Sequence, residues 1–164
     1  MAKNLNINLG DNTDSILIVN IHDKDGNDTG ETLQFDLEDI ELPLKYHQII
    51  EEDKRNRNWL KNQFVIIDRK KDVKGKKMLS KNEEEKMLKM KEFYEREMNT
   101  IDSFLGKGGC KKMLNGRKPY WEMFSDIIED LKPVIKELDL TMSFIENKIK
   151  NKYGQSSKEE NVLE

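Results

Sequence analysis

The sequence predicts an α+β fold, an N-terminal β-hairpin or small antiparallel sheet followed by a mainly helical bundle. Three observations predict it. The first 42 residues hold short Ile/Val-rich and alternating segments around a dense turn cluster. Within 43–153 apolar residues recur at three- and four-residue spacings over 87–105 and 121–149, and more loosely over 44–68. The apolar fraction is low, 35%, and the charged fraction high, 37%, which suits helices with much solvated surface. The 164 residues suffice for one domain, divided as 1–42 β-rich, 43–153 helical, and 154–164 a disordered polar tail.

The elements follow in order. Ser15 to His22 (SILIVNIH) reads as a strand, Asp23 to Gly30 (DKDGNDTG) as a turn, and Glu31 to Leu37 (ETLQFDL) as the return strand. Leu33, Phe35 and Leu37 share one face of that strand. Leu5, Ile7 and Leu9 also alternate and suggest a third short strand. An isolated hairpin is marginal in water, so this one must pack on the helical body or join strands of another subunit. Pro43 suits a first helical turn, and a helix is expected from Leu44 to about Asp68. Its middle, Glu51 to Asn58, is polar all round, and Phe64 to Ile67 (FVII) reads equally as a turn of helix or a buried strand.

Arg69 to Lys77 (RKKDVKGKK) reads as a loop. Ser80 with Glu83 three residues later forms the reciprocal capping signature of a helix start. Met87, Met90, Tyr94, Met98, Ile101 and Leu105 then mark one helical face, which Gly106 ends. Cys110 to Leu114 makes one short turn closed by Asn115-Gly116, and Pro119 is expected to start the last helix. Trp121, Phe124, Ile128, Leu131, Ile135, Leu138, Met142, Ile145 and Ile149 alternate spacings of three and four, a heptad seam. Pro133 is expected to bend or split that helix near Asp130.

Charge is unevenly spread. Residues 1–53 carry a net −10 and residues 54–81 a net +9. An intramolecular match, head-to-tail self-association, separate partners of opposite sign, or two solvated surfaces are all compatible with this. The N-terminus lacks a signal-peptide pattern, no run reaches the length of a membrane span, and a single cysteine excludes an internal disulfide and a Cys-based zinc site. A reducing cytoplasm is the expected compartment.

The chemical motifs fail on spacing. Counted from Asp23, the calcium-like turn places Gly26 fourth and Gln34 twelfth, where a calcium loop needs Gly sixth and Glu twelfth. Counted from Asp25, Gly30 is sixth but Asp36 is twelfth, and the flanks are strands. Gly106-Lys107-Gly108-Gly109 holds the GxxG of KH loops in a strand order unlike theirs, lacks the spacing of a Walker loop, and reads as a hinge. Cys110, His22 and His47 form no catalytic or metal constellation, so no enzyme activity, cofactor or metal is expected. The basic stretch 54–81, with Trp59 and Phe64 as stacking candidates, supports a nucleic-acid reading as the alternative. The methionines at 87, 90 and 98 fit either an ordinary core stripe or a forgiving groove for a partner helix.

The segments Asn99-Thr100-Ile101-Asp102-Ser103-Phe104-Leu105-Gly106-Lys107-Gly108, Lys112-Met113-Leu114-Asn115-Gly116 and Trp121-Glu122-Met123-Phe124 resemble the tail assembly chaperones of long-tailed phages and prophages. The match covers about 30 residues by pattern and about 140 by layout. The resemblance implies a non-enzymatic protein of the host cytoplasm, absent from the finished particle. Such a protein keeps the tape-measure protein and tail-tube subunits soluble until the tube polymerises. It also implies that a frameshifted extension could attach after Gly154. On this reading Phe104, Gly106, Gly108, Trp121 and Phe124, with Met87, Met90 and Met98, are the partner-binding candidates. A structural virion connector is a further alternative, and the 121–149 seam is long enough to pair with a second copy.

Overall fold

The computed structural model describes the backbone of residues 15–162 and the side chains of residues 15–152. The strand expected at Leu5, Ile7 and Leu9 lies outside the described residues. The order is β1 (Ile16–His22), β2 (Asp28–Asp36), α1 (Glu41–Asp68), α2 (Lys81–Leu105), α3 (Gly109–Leu114), α4 (Met123–Asp130) and α5 (Lys132–Val162). The α+β class expected from the pattern is the class observed.

β1 and β2 form an antiparallel pair in which Leu17 faces Phe35 and Val19 faces Leu33. Leu33 and Phe35 are buried against the helices, and Leu17 and Val19 pack beside them. The opposite face, with Ile16 and Ile18, is exposed. The turn is shorter than its composition suggests. Asp23 Oδ1 accepts the backbone N–H groups of Asp25 and Asn27, both at 2.9 Å, and Gly26 takes φ +81°. Those backbone bonds hold the Asp23 carboxyl below its usual range. Gly30, expected in the turn, lies inside β2 beside an irregularity of register between Asn20 and His22.

Asp39 Oδ1 accepts the Glu41 N–H at 2.9 Å and so satisfies one orphan donor at the start of α1. Pro43 sits in the first turn, as expected. The helix is unbroken to Asp68, so Phe64 to Ile67 is helical, with Ile67 buried and Val65 and Ile66 exposed. Its buried positions, Leu42, Ile49, Asn56, Leu60 and Ile67, fall at spacings of seven and four, a single helical stripe.

α2 runs back along α1. Lys86 pairs with Asp68, and Lys70 pairs with Glu85 at 3.0 Å. The capping box is formed: the Glu83 N–H donates to Ser80 Oγ at 3.1 Å, and the Ser80 N–H to Glu83 Oε2 at 3.3 Å. Asn82 Nδ2 closes the end of α1 by donating to the carbonyls of Ile67 and Lys70 at 3.2 and 3.0 Å. The buried line of α2 runs through Phe93, Glu97, Thr100, Ile101, Phe104 and Leu105. Ile101 and Leu105 belong to the expected stripe, but Met87 is exposed and Met90, Tyr94 and Met98 are half-buried. The observed face is rotated so that it buries the rings of Phe93 and Phe104, and it carries Glu97 and Thr100 inward with them, where Asn56 on α1 bonds both.

Gly106 ends α2 with φ +92°. A Cβ on Gly109 would stand 2.4 Å from Leu105 Cβ, so the hinge closes only on glycine. Asp102 caps α3, accepting the Gly108 and Cys110 N–H groups at 3.2 and 2.9 Å. Pro119 does not start the next helix. Residues 117–120 are irregular and α4 begins at Met123, whose N–H bonds to the Tyr120 carbonyl at 3.0 Å. The Tyr120 hydroxyl, donating to Asp126 Oδ2 at 2.7 Å, fixes that entry. The split at Pro133 is as expected: α4 ends at Asp130, and Pro133 falls in the first turn of α5.

Met123, Phe124, Ile127, Leu131, Val134 and Leu138 are the buried residues of the last two helices. Of the heptad seam, Phe124, Leu131 and Leu138 are buried, Ile128, Ile135, Met142 and Ile145 half-buried, and Trp121 and Ile149 exposed; Leu140 and Phe144, off the seam, are exposed as well. α5 continues helical to Val162, past the end suggested by Tyr153-Gly154 and into the stretch expected to be a disordered tail. One interior glycine costs only about 1 kcal/mol in helix propensity and does not by itself terminate a helix. No helix among the described residues is long and apolar enough to cross a membrane.

Candidate partner-binding groove

One helical turn after another, α1 presents Arg57, Leu60, Lys61, Phe64, Val65 and Asp68 to the same side of the helix pair. Met90 of α2 and Trp121 from the segment before α4 complete a mainly apolar groove of about 390 Å³. Its walls are fixed by contacts within the chain. The Arg57 guanidinium lies 4.7 Å from the Trp121 ring centroid, and the Phe93 ring packs on Trp121 at 5.4 Å. Arg57 Nε in turn donates to Asp53 Oδ1 at 2.9 Å. At the other end Lys86 lies 5.4 Å over the Phe64 ring and pairs with Asp68. Val65 is 42% and Trp121 44% exposed, so a sizeable apolar area meets solvent.

Of the partner-binding candidates, Met90 and Trp121 come together in this groove. Met87 is exposed on the same helix. Met98 packs half-buried against the core elsewhere. Phe104 and Phe124 are core residues, not exposed ones; Phe104 packs on Phe35 of β2 and Tyr46 of α1. Gly106 and Gly108 supply positive-φ backbone at the ends of α2 and α3. Leu60, Phe64 and Val65 were missed. For Phe64 and Val65 the signal was the Phe64–Ile67 run, which carries more apolar residues than one buried helical stripe uses; Leu60 belongs to the buried stripe itself.

Between α1 and α2, away from the groove, lies a buried polar cluster. Asn56 Nδ2 donates to Glu97 Oε1 at 2.7 Å and to Thr100 Oγ1 at 3.1 Å. Glu97 is 1% exposed, and its Oε2 has no hydrogen-bond partner. Burial pushes the Glu97 carboxyl up to about 8, the nearby Asp53 carboxylate raises it further, and Asn56 and Arg57 oppose the shift. Burial and Asp53 together favour the protonated, neutral form of Glu97 in the folded protein. Cys110 is fully buried, 3.9 Å from Met123 Sδ, and burial pushes its thiol up to about 12. It is an inert core residue. Among the described residues no group of three or more His, Cys, Asp or Glu is placed to hold a metal ion.

A second, larger cleft of about 720 Å³ is lined by charged residues including Glu51, Glu52, Arg55 and Arg96. These pair along their own helices, Lys54 with Glu51, Arg55 with Glu52 and Arg96 with Glu92. In the basic stretch, Trp59 is covered by Arg96 at 3.9 Å and by Lys89 at 5.8 Å, and Phe64 by Lys86. The two aromatics read as base-stacking candidates thus already carry cations of their own chain. No protein-family model matches the chain, and no curated protein or solved structure is significantly similar to it.

Proposed function

We propose that the protein is a non-enzymatic assembly chaperone of the long-tailed phage kind. In this reading it holds the helical tape-measure protein, and tail-tube subunits with it, in the host cytoplasm until the tube polymerises. The observation that carries the reading is the open groove of Leu60, Phe64, Val65, Met90 and Trp121. A tape-measure chain is long and helical, with exposed apolar stripes that need cover before assembly, and a Met-bearing groove along a helix pair accepts such a stripe with little side-chain reordering. The likeness of residues 99–124 to the family supports the choice of client. The exposed Leu140, Phe144 and Ile149 of α5 leave room for association with a second copy.

Co-expression tests the reading. The protein is expected to keep a tape-measure protein in the soluble fraction, and Val65→Asp to reduce that soluble fraction several-fold while leaving the chaperone itself folded. Val65 is partly exposed, so the substitution puts a charge in the groove without opening the core. A client that stays insoluble with the native protein, or is rescued equally by Val65→Asp, contradicts the proposal. Recovery of the chain from purified particles would favour the connector alternative.

A further inference from the structure

The groove does not end in neutral solvent. From Arg57 to Asp68 it follows α1 for about three turns, roughly 16 Å at 1.5 Å per residue. Directly beyond Asp68 stands the loop between α1 and α2, exposed at every residue from 69 to 79. The loop is not a random tether. Asp72 Oδ1 accepts the N–H groups of Val73 and Asn82 at 2.8 and 3.0 Å, and the Lys81 N–H donates to the Val73 carbonyl at 2.9 Å. On this framework Arg69, Lys71, Lys74, Lys76 and Lys77 form no salt bridge among the described residues. Met78 stands among them 91% exposed, with Val73 and Leu79 also open to solvent.

Among the described residues, the acids of the first third do not neutralise this loop. The nearest of them, Glu51, Glu52 and Asp53, lie on α1 at least 15 residues before Asp68 and pair with Lys54, Arg55 and Arg57 of their own helix. At 1.5 Å per residue that is roughly 22 Å or more, about twice the ~10 Å screening length at 0.1 M salt. Set against the acids beside it, Asp72 in the loop and Glu83 and Glu84 in the first turn of α2, the five cations still leave the loop a net positive patch, with exposed apolar side chains among them, next to the end of an apolar groove. A helix lying in the groove and longer than three turns runs over it.

We propose that the groove selects an amphipathic helix whose end over the 69–79 loop is acidic. This rests on the helix-binding reading above and adds to it the polarity of the client. Apolar residues at helical spacing fill the Trp121-to-Asp68 groove. Glu or Asp residues in the next turn face the unpaired cations, while Val73, Met78 and Leu79 cover an apolar neighbour. A nucleic acid would use the cations but leave the groove and Met78 idle, which is why a protein helix fits better.

The test titrates the full chain with two designed 18-residue peptides that share one apolar stripe and differ only in carrying three Glu or three Lys in the end turn. Affinity is read by calorimetry. The Glu peptide is expected to bind about tenfold more tightly at 50 mM salt, and the difference to shrink towards zero at 0.5 M salt. The triple variant Lys74→Glu, Lys76→Glu, Lys77→Glu, altered only at exposed loop positions, is expected to reverse the preference. Val65→Asp is expected to weaken both peptides together. Equal binding of the two peptides, or a preference that survives the triple variant, overturns the acidic-end inference and leaves the groove reading standing. Binding of neither peptide overturns both. A short DNA duplex that binds more tightly than the Glu peptide, and is released by the triple variant, overturns it in favour of nucleic acid.

Discussion

Replacing Phe104 by alanine is expected to cost about 3–5 kcal/mol of stability, the usual range for removing a buried aromatic ring. Phe104 is 4% exposed. Its ring contacts Phe35 of β2 at a centroid distance of 5.7 Å and Tyr46 of α1 at 5.9 Å, while Phe104 itself belongs to α2. One side chain thus ties the hairpin to both long helices. An isolated two-stranded hairpin has little stability of its own, so losing this anchor affects the hairpin first. Against a typical total of about 5–15 kcal/mol the loss is large. Chemical denaturation should show a lower midpoint, and the molecules that remain folded should bind a helical client as before. A variant of native stability that fails to bind its client would place Phe104 on the partner surface instead.

Glu97→Gln is expected to act in the opposite direction and only above mildly acidic pH. The Glu97 carboxyl titrates near 4.5 when unfolded and is pushed up to about 8 in the folded protein, first by burial and then by Asp53, with Asn56 and Arg57 opposing. Between those values the folded state keeps a proton that the unfolded state has released. Stability therefore falls as pH rises from about 4.5 to about 8, and the penalty is complete above that. At ~1.4 kcal/mol per pKa unit, the penalty is of the order of a few kcal/mol. The substituted amide keeps an oxygen for Asn56 and never ionises. Denaturant midpoints at pH 5, 7 and 9 should fall for the native protein and stay nearly level for the variant in this respect, leaving the variant the more stable at pH 9. A parallel fall in both proteins would show that Glu97 carries no such burden.

Those two residues mark what the sequence made legible and what it did not. Signals confined to a few neighbours were readable: the Ser80–Glu83 capping box, the stop at Gly106, the split at Pro133 and the Leu33–Phe35 face of β2. Each depends on local backbone chemistry. Pro119 misled because a proline fits an irregular entry as well as a first helical turn, and the Tyr120–Asp126 bond placed the start at Met123. Glu97 was invisible because Tyr94-Glu95-Arg96-Glu97 reads as a solvated stretch. Only the partner 41 residues earlier, Asn56, draws it inside. Phe104 packs on Phe35 and Tyr46, neighbours 69 and 58 residues earlier, so a residue read as a contact for partners is a core residue.

The groove was half legible for a related reason. Met90 and Trp121 stood out as single residues. That they meet Leu60, Phe64 and Val65 depends on the α1–α2 hairpin and on Arg57 holding Trp121 in place. The basic stretch 54–81 likewise divides in three dimensions. Lys54, Arg55 and Arg57 pair with acids on α1, and among the described residues most of the stretch's cations without a salt bridge lie in the loop beyond Asp68, with Lys61 in the groove wall.

The central claim is that a helical client lies along α1 and α2 between Trp121 and Asp68. A photo-crosslinking residue placed at Val65 tests it most directly, with the same residue at Leu140 on the exposed end of α5 as the comparison, each co-expressed with a tape-measure protein. The account predicts a strong crosslink to the client from position 65 and little or none from position 140. A crosslink from position 140 with none from position 65 would contradict it.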